Sequence, residues 1–302
     1  MYNISKCKQD RGYTMKRFFA LFLLLTLAAW ALPGAAQEAE MISGCGITVD
    51  KYAEKIDFGK VQVTNTDDLI RLIDQMPNLK VVDMYSSSIK KPALEVLFDM
   101  YPQITFGWTY YVGDHKVRTD ITAFSTLHGS SPDPVHTEKD FKYLRFCKNL
   151  QAIDVGHNWV KDISWLTNFP HLKVLILGVN RVSDLSPLAE LKELEYIELF
   201  TNTFTDLTPL TELTNLRDLN IKNNPVTDIS PLYKMPWLER LWLGMNKMDK
   251  IPAEERAALQ LALPNCEIDW IHKPTAGTWR EHPHYDTIYS MFRSRIYTPF
   301  DQ

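Results

Sequence analysis

The side chains best suited to chemistry stand at Glu281-His282-Pro283-His284, two imidazoles two residues apart beside a carboxylate, the donor types that hold a transition metal. Two ligands from one turn still need a third, for which Asp286 and His272 are the nearest in sequence, so the segment reads as a surface His pair. Asp162, Asp184, Asp206 and Asp228 recur every 22 residues like the rungs of a calcium column. A carboxylate that caps the free N–H groups of a starting turn accounts for all four. Cys147 and His157 lack the context of a thiol hydrolase. Neither G-x-S-x-G nor H-E-x-x-H occurs, and 12 glycines leave little material for a phosphate loop. The expectation is no enzyme, with no cofactor and no metal. The chemistry that remains is recognition, by Tyr, Trp and Arg side chains held at positions a fold need not bury.

The elements that position them follow one period. Asn158, Asn180, Asn202, Asn224 and Asn246 are each 22 residues from the next. Eight before each Asn stands Leu150, Leu172, Leu194, Leu216 or Leu238; five before, Ile153, Leu175, Ile197, Leu219 or Leu241; three before, Val155, Leu177, Leu199, Ile221 or Leu243. The pattern is L-x-x-L-x-L-x-x-N five times over. Its L-x-L core alternates with period two, which turns both apolar side chains inward from a short strand. The Asn amide can satisfy backbone groups of adjacent coils, and Asp-Leu-Ser-Pro-Leu at 184–188 opens a tight helical turn. A single coil cannot bury its apolar side; stacked coils share one core.

These residues resemble the internalin-type, 22-residue class of leucine-rich repeats found in secreted bacterial proteins. The resemblance covers about 144–251. It implies an α/β solenoid, curved, with parallel strands on the concave face and short helices or 3-10 turns on the convex face, and it implies binding of a macromolecule without naming one. Strand side chains that point away from the core form three columns. The first is Ala152, Val174, Tyr196, Asp218 and Arg240; the second is Asp154, Ile176, Glu198, Asn220 and Trp242; the third is Gly156, Gly178, Phe200, Lys222 and Gly244. Strands ~4.8 Å apart make this face about 20 Å wide, enough for a peptide or a protein edge. The expected partner site is Ile176, Tyr196, Glu198, Phe200, Asn220, Arg240 and Trp242, centred on the rings and the guanidinium. The competing expectation is that the C-terminal segment, or an insertion within 107–140, folds over these rings. Rings among carboxylates and amides suit a glycan as well as a protein or peptide. A regulatory subunit of an enzyme is the further alternative, although residues 271–302 are too few for a catalytic pocket of their own.

Outside the regular block, Val61-Gln62-Val63, Val82-Asp83-Met84 and Ile104-Thr105-Phe106 read as short strands of degenerate coils, with helices at 68–76 and 92–100 between them. One more coil fits near 119–127, and Ser130-Ser131-Pro132-Asp133-Pro134 reads as a loop. Residues 252–270 form the last coil. Tyr285, Ile288, Tyr289 and Phe292 mark an amphipathic helix expected to cover the open end of the core. The domains expected are 1–36, 37–143, 144–251 and 252–302.

Met15-Lys16-Arg17, the apolar run Phe18–Leu32 and then Pro33-Gly34-Ala35-Ala36 have the order of a secretory signal, cleaved after Ala36, with 1–14 an upstream extension and either Met1 or Met15 the true start. The run is too short for a bilayer span, and the C-terminus carries no sorting signal, so a released product without a stable membrane anchor is expected. A formal charge of -4 with no Lys/Arg run longer than two argues against nucleic acid. The expected partner is therefore an extracellular protein or peptide, or a glycan. After that cleavage the chain would keep Cys45, Cys147 and Cys266 of its four cysteines, an odd set that allows at most one disulfide; the last two read as buried free thiols.

Overall fold

The structure is a computed structural model describing residues 39–87, 89–126, 135–244, 246, 251–270 and 282–300. The chain divides into two units, 1–39 and 40–302, and of the first only Ala39 is described. The signal segment and the loop 130–134 lie outside the described residues.

The second unit opens with an antiparallel hairpin, β1 (Met41–Gly44) and β2 (Ile47–Asp50). Three coils follow as β3 (Lys55–Asp57), α1 (Thr66–Ile73), β4 (Val81–Asp83), α2 (Lys91–Met100) and β5 (Thr105–Gly107), whose strands pair in parallel in that order. The first strand is 55–57 and not 61–63. Ile56, buried, is the inward residue of the ladder, while Val63 fills the core from the return leg. Two antiparallel strands outside the coil pattern come next, β6 (Thr109–Val112) and β7 (His115–Arg118), joined by a two-residue turn. Gly113 there takes φ +58°, the positive φ that the first position of such a turn demands.

The regular block forms a seven-stranded parallel sheet in chain order: β8 (Ala123–Ser125), β9 (Ala152–Asp154), β10 (Val174–Ile176), β11 (Tyr196–Glu198), β12 (Asp218–Asn220), β13 (Arg240–Trp242) and β14 (Glu267–Asp269). Its strands are in register, Ile153 beside Leu175, Ile197, Leu219 and Leu241, each with no exposed surface. The helix α3 (Glu138–Phe141) and 3-10 turns at Lys142–Phe146, Ser164–Asn168, Ser186–Glu190, Thr208–Glu212 and Ser230–Lys234 make the return legs, and α4 (Ala253–Ala262) the last.

The Asn ladder works as its position demands. Asn202 Nδ2 donates to the carbonyls of Leu177 (2.9 Å) and Leu199 (3.0 Å), and its Oδ1 accepts from Val182 N (2.9 Å). Asn180 and Asn224 repeat the two Nδ2 bonds one coil away. Backbone polar groups that no strand pairs are thereby satisfied inside the stack. The Asp column caps: Asp162, Asp184, Asp206 and Asp228 each accept from the N–H two residues on at 2.8 Å, opening the 3-10 turns. Directly before the ladder Asn, His157, Val179, Thr201 and Asn223 all take φ between 53° and 58°. A β-branched residue in that region is strained, and the amide bonds of the following Asn hold the turn.

Cys147 and Cys266 are buried and Cys45 half-buried, all three free. Burial pushes the Cys147 and Cys266 thiols up to about 12, which makes each a small core side chain with no thiolate at neutral pH.

Candidate functional site

The sheet displays the three expected columns on one face, but much of that face is covered. A C-terminal helix, α5 (Tyr285–Ser294), packs Ile288, Met291 and Phe292 onto Ala123, Ala152, Val174, Ile176 and Tyr196, with Tyr297 and Phe300 alongside. The small outward residues Ala123 and Ala152 leave the depth a helix needs. The buried stripe is Ile288, Met291 and Phe292, whereas Tyr289 is exposed and Tyr285 half-buried, so two of the four expected stripe residues turn away. The helix was also expected at the open end of the core; it lies instead on the strand face, because that face offers an apolar column.

Backbone bonds hold the segment in place. Thr122 N and Ala123 N both donate to the Arg295 carbonyl at 3.2 Å, and Tyr297 N donates to Thr122 Oγ1 at 2.7 Å. Arg295 ends α5 at φ 61°, the left-handed turn that redirects the chain along β8.

Beyond the apolar seat the face turns polar. Asp218, 2% exposed, accepts from Arg240 Nη1 at 2.9 Å through Oδ1, and its Oδ2 lies 3.4 Å from His282 Nε2 and 3.8 Å from His284 Nε2. The expected surface His pair is therefore corrected: His282 is buried, its ring against Tyr196 and Trp242 with centroids 5.4 and 5.3 Å away. His282 Nδ1 accepts from His284 N, so the N–H of its neutral form sits on Nε2, toward Asp218. His284 stacks on Phe300 at 4.3 Å. The Arg240 guanidinium offsets the cost of burying the Asp218 side chain. Lys222, with no exposed surface, is paired in the same way with Asp269 Oδ2 at 3.0 Å.

The seven expected partner residues fall into two groups. Ile176, Tyr196 and Glu198 are buried, and the Tyr196 hydroxyl donates to the Glu198 carboxylate. Phe200, Asn220, Arg240 and Trp242 are half-buried and reach solvent. The Phe200 ring packs against Gly178, where an added Cβ would stand 2.2 Å from it; only glycine leaves room for it. Along the same rim lies a pair not foreseen from the sequence, Trp159, 52% exposed, with the Arg181 guanidinium 4.5 Å from its ring centre. Both follow a ladder Asn by one residue, so an aromatic residue at that repeat position was the available signal.

In the second column Asp154 is 3% exposed and accepts from Ser125 Oγ (2.8 Å) and Gly156 N (3.1 Å). Burial outweighs those bonds and raises its carboxyl to about 6.

Among the described residues no helix is long and apolar enough to cross a membrane. Among curated proteins none matches the chain by sequence. Similar solved structures include internalin C2 of Listeria monocytogenes (22% identity, 72% of this chain and 80% of that one, TM-score 0.41). A leucine-rich-repeat protein of Leptospira interrogans (22%, 66% and 51%, TM-score 0.44) and a second Listeria monocytogenes internalin (17%, 76% and 91%, TM-score 0.40) are others. The family signature for leucine-rich repeats in two copies matches 148–190, 170–212 and 214–255. Together with the register of the sheet and the Asn ladder, that match makes residues 148–255 leucine-rich repeats, stacked in a parallel-stranded solenoid.

Proposed function

We propose that the chain is an exported binding module that takes an extracellular protein or peptide on the open part of its strand face. Phe200, Asn220, Arg240 and Trp242 are the contact residues of this reading. Ile176, Tyr196 and Glu198 support them from beneath the C-terminal segment. The observation that carries it is the persistence of half-exposed Phe200 and Trp242 beside a covered apolar column: the chain shields one part of the face and leaves rings in reach on the other. The Trp159–Arg181 pair extends the same rim with the residue types that anchor interfaces. Arg240 contributes less freely, since its guanidinium is held by Asp218. The raised Cys147 and Cys266 thiols favour a binding role over thiol catalysis.

Export rests on the order of residues 15–36, and the division at 36, 143 and 251 belongs to the same reading. The test is capture of partners from culture medium and host extracts by the protein and by a Phe200→Ala/Trp242→Ala double variant. A partner held by the first and lost by the second, with a melting temperature within a few degrees, supports the face. A partner held equally by both, or a collapse of folding in the variant, refutes it.

A further inference from the structure

Away from the strand face, the β6–β7 turn and the segment entering α3 bring three metal-ligating side chains together. Asp114 Oδ1 lies 2.9 Å from His136 Nε2 and 3.3 Å from His115 Nε2, and the three donor atoms fall within 4.8 Å of one another. His136 is 5% exposed, and its Nε2 has no hydrogen-bond partner although the carboxylate is so close. The contact is thus out of line for a hydrogen bond, and a buried imidazole nitrogen left so is a rarity that asks for a cause.

The surroundings fit an ion. Around zinc, bonds of ~2.1 Å at the tetrahedral angle set ligands about 3.4 Å apart, within about half an ångström of the contacts at 3.3 and 2.9 Å. Position 113 is glycine, and a Cβ there would stand 2.3 Å from His136 Cε1, so the turn admits the ring only because it lacks a side chain. On the other edge of the ring, Nδ1 faces Asp140 Oδ2 at 3.9 Å, the side from which carboxylates orient metal-bound imidazoles. Two imidazoles and one carboxylate suit zinc, whereas calcium and magnesium take oxygen ligands throughout. Asp218 with His282 and His284 offers the same residue types, but the Arg240 guanidinium already supplies its cation.

We propose that Asp114, His115 and His136 hold one zinc ion, with the fourth position left to water. The ion ties the β6–β7 hairpin to the segment that enters the repeat block.

The test is calorimetric titration of the chelator-stripped full chain with zinc chloride, and with calcium chloride as the control. One equivalent of zinc and no calcium should bind. Asp114→Asn and His115→Ala should each weaken zinc by at least about tenfold, since even losing a partner of a ligand costs 10–100-fold. His282→Ala/His284→Ala should leave the isotherm unchanged. Asp114 sits half-exposed on a turn, so its Asn variant keeps the test valid if His136→Ala fails to fold. Absent saturable zinc binding, binding untouched by Asp114→Asn, or binding lost in the His282/His284 variant would each overturn the assignment.

Discussion

Asp154→Asn should stabilise the protein at neutral pH and do nothing for it in acid. Asp154 has its carboxyl raised to about 6 by burial, against an ordinary value of 3.8. The folded state therefore keeps a proton that the unfolded chain releases, and stability falls as pH rises from about 4 through 6. Each pKa unit corresponds to ~1.4 kcal/mol, so the gap of about two units makes the ionised carboxylate cost roughly 3 kcal/mol above pH 7. Asn keeps both contacts, because its Oδ1 accepts from Gly156 N and its amide can donate to the Ser125 hydroxyl, which turns to accept. Urea unfolding at pH 3 and pH 7.5, below both values and above both, reads the effect as the difference between variant and parent. A variant advantage near zero at the lower pH and of about 2–3 kcal/mol at the higher is expected. Equal differences at both pH values would mean that burial does not govern this carboxyl, and the reasoning would fail.

Asn202→Ala strips partners from Val182 N and from the Leu177 and Leu199 carbonyls, and should cost more than about 3 kcal/mol in the same assay. Asp206→Ala removes a cap on an exposed turn and should cost only ~1 kcal/mol, so a reversed order would contradict the roles given to the two columns. Phe292→Ala empties a buried seat on the strand face; a loss of about 3–5 kcal/mol is expected, with faster hydrogen exchange along 285–297. Arg240→Ala leaves the buried Asp218 without its guanidinium partner, and a cost of ~3 kcal/mol or more should appear, where an unchanged stability would show the pair to be dispensable.

The stacked coils were legible because each repeats its apolar spacing and closes its own backbone bonds through the Asn and Asp columns. Ile153, Leu175 and their register mates follow from L-x-L alone. The hairpin β6–β7 does not follow the coil period, and its signal is the alternation of Tyr110, Val112 and Val117 around the Gly113-Asp114 turn. The cover on the strand face was harder. A helical stripe says that a helix has an apolar side, not what that side meets, and His282 lies 64 residues from Asp218 in sequence. A signal did exist on the outward side of the first strands, where Ala123, Ala152, Val174 and Ile176 are all apolar. Strands apolar in both directions are buried on both faces.

A solenoid ordinarily unfolds as a row of weakly linked units, since each repeat touches only its neighbours and an end can fray without disturbing the middle. The Arg295 carbonyl and Tyr297 N bind the start of β8, while His282 reaches Asp218 four strands away, so one segment spans repeats that do not meet. It acts as a clasp: the terminal coil cannot peel away while the segment after it is fastened to the first strand. Such a clasp turns a linear array into a closed cooperative unit, and it removes β8 as a free sheet edge on which a second chain could add a strand.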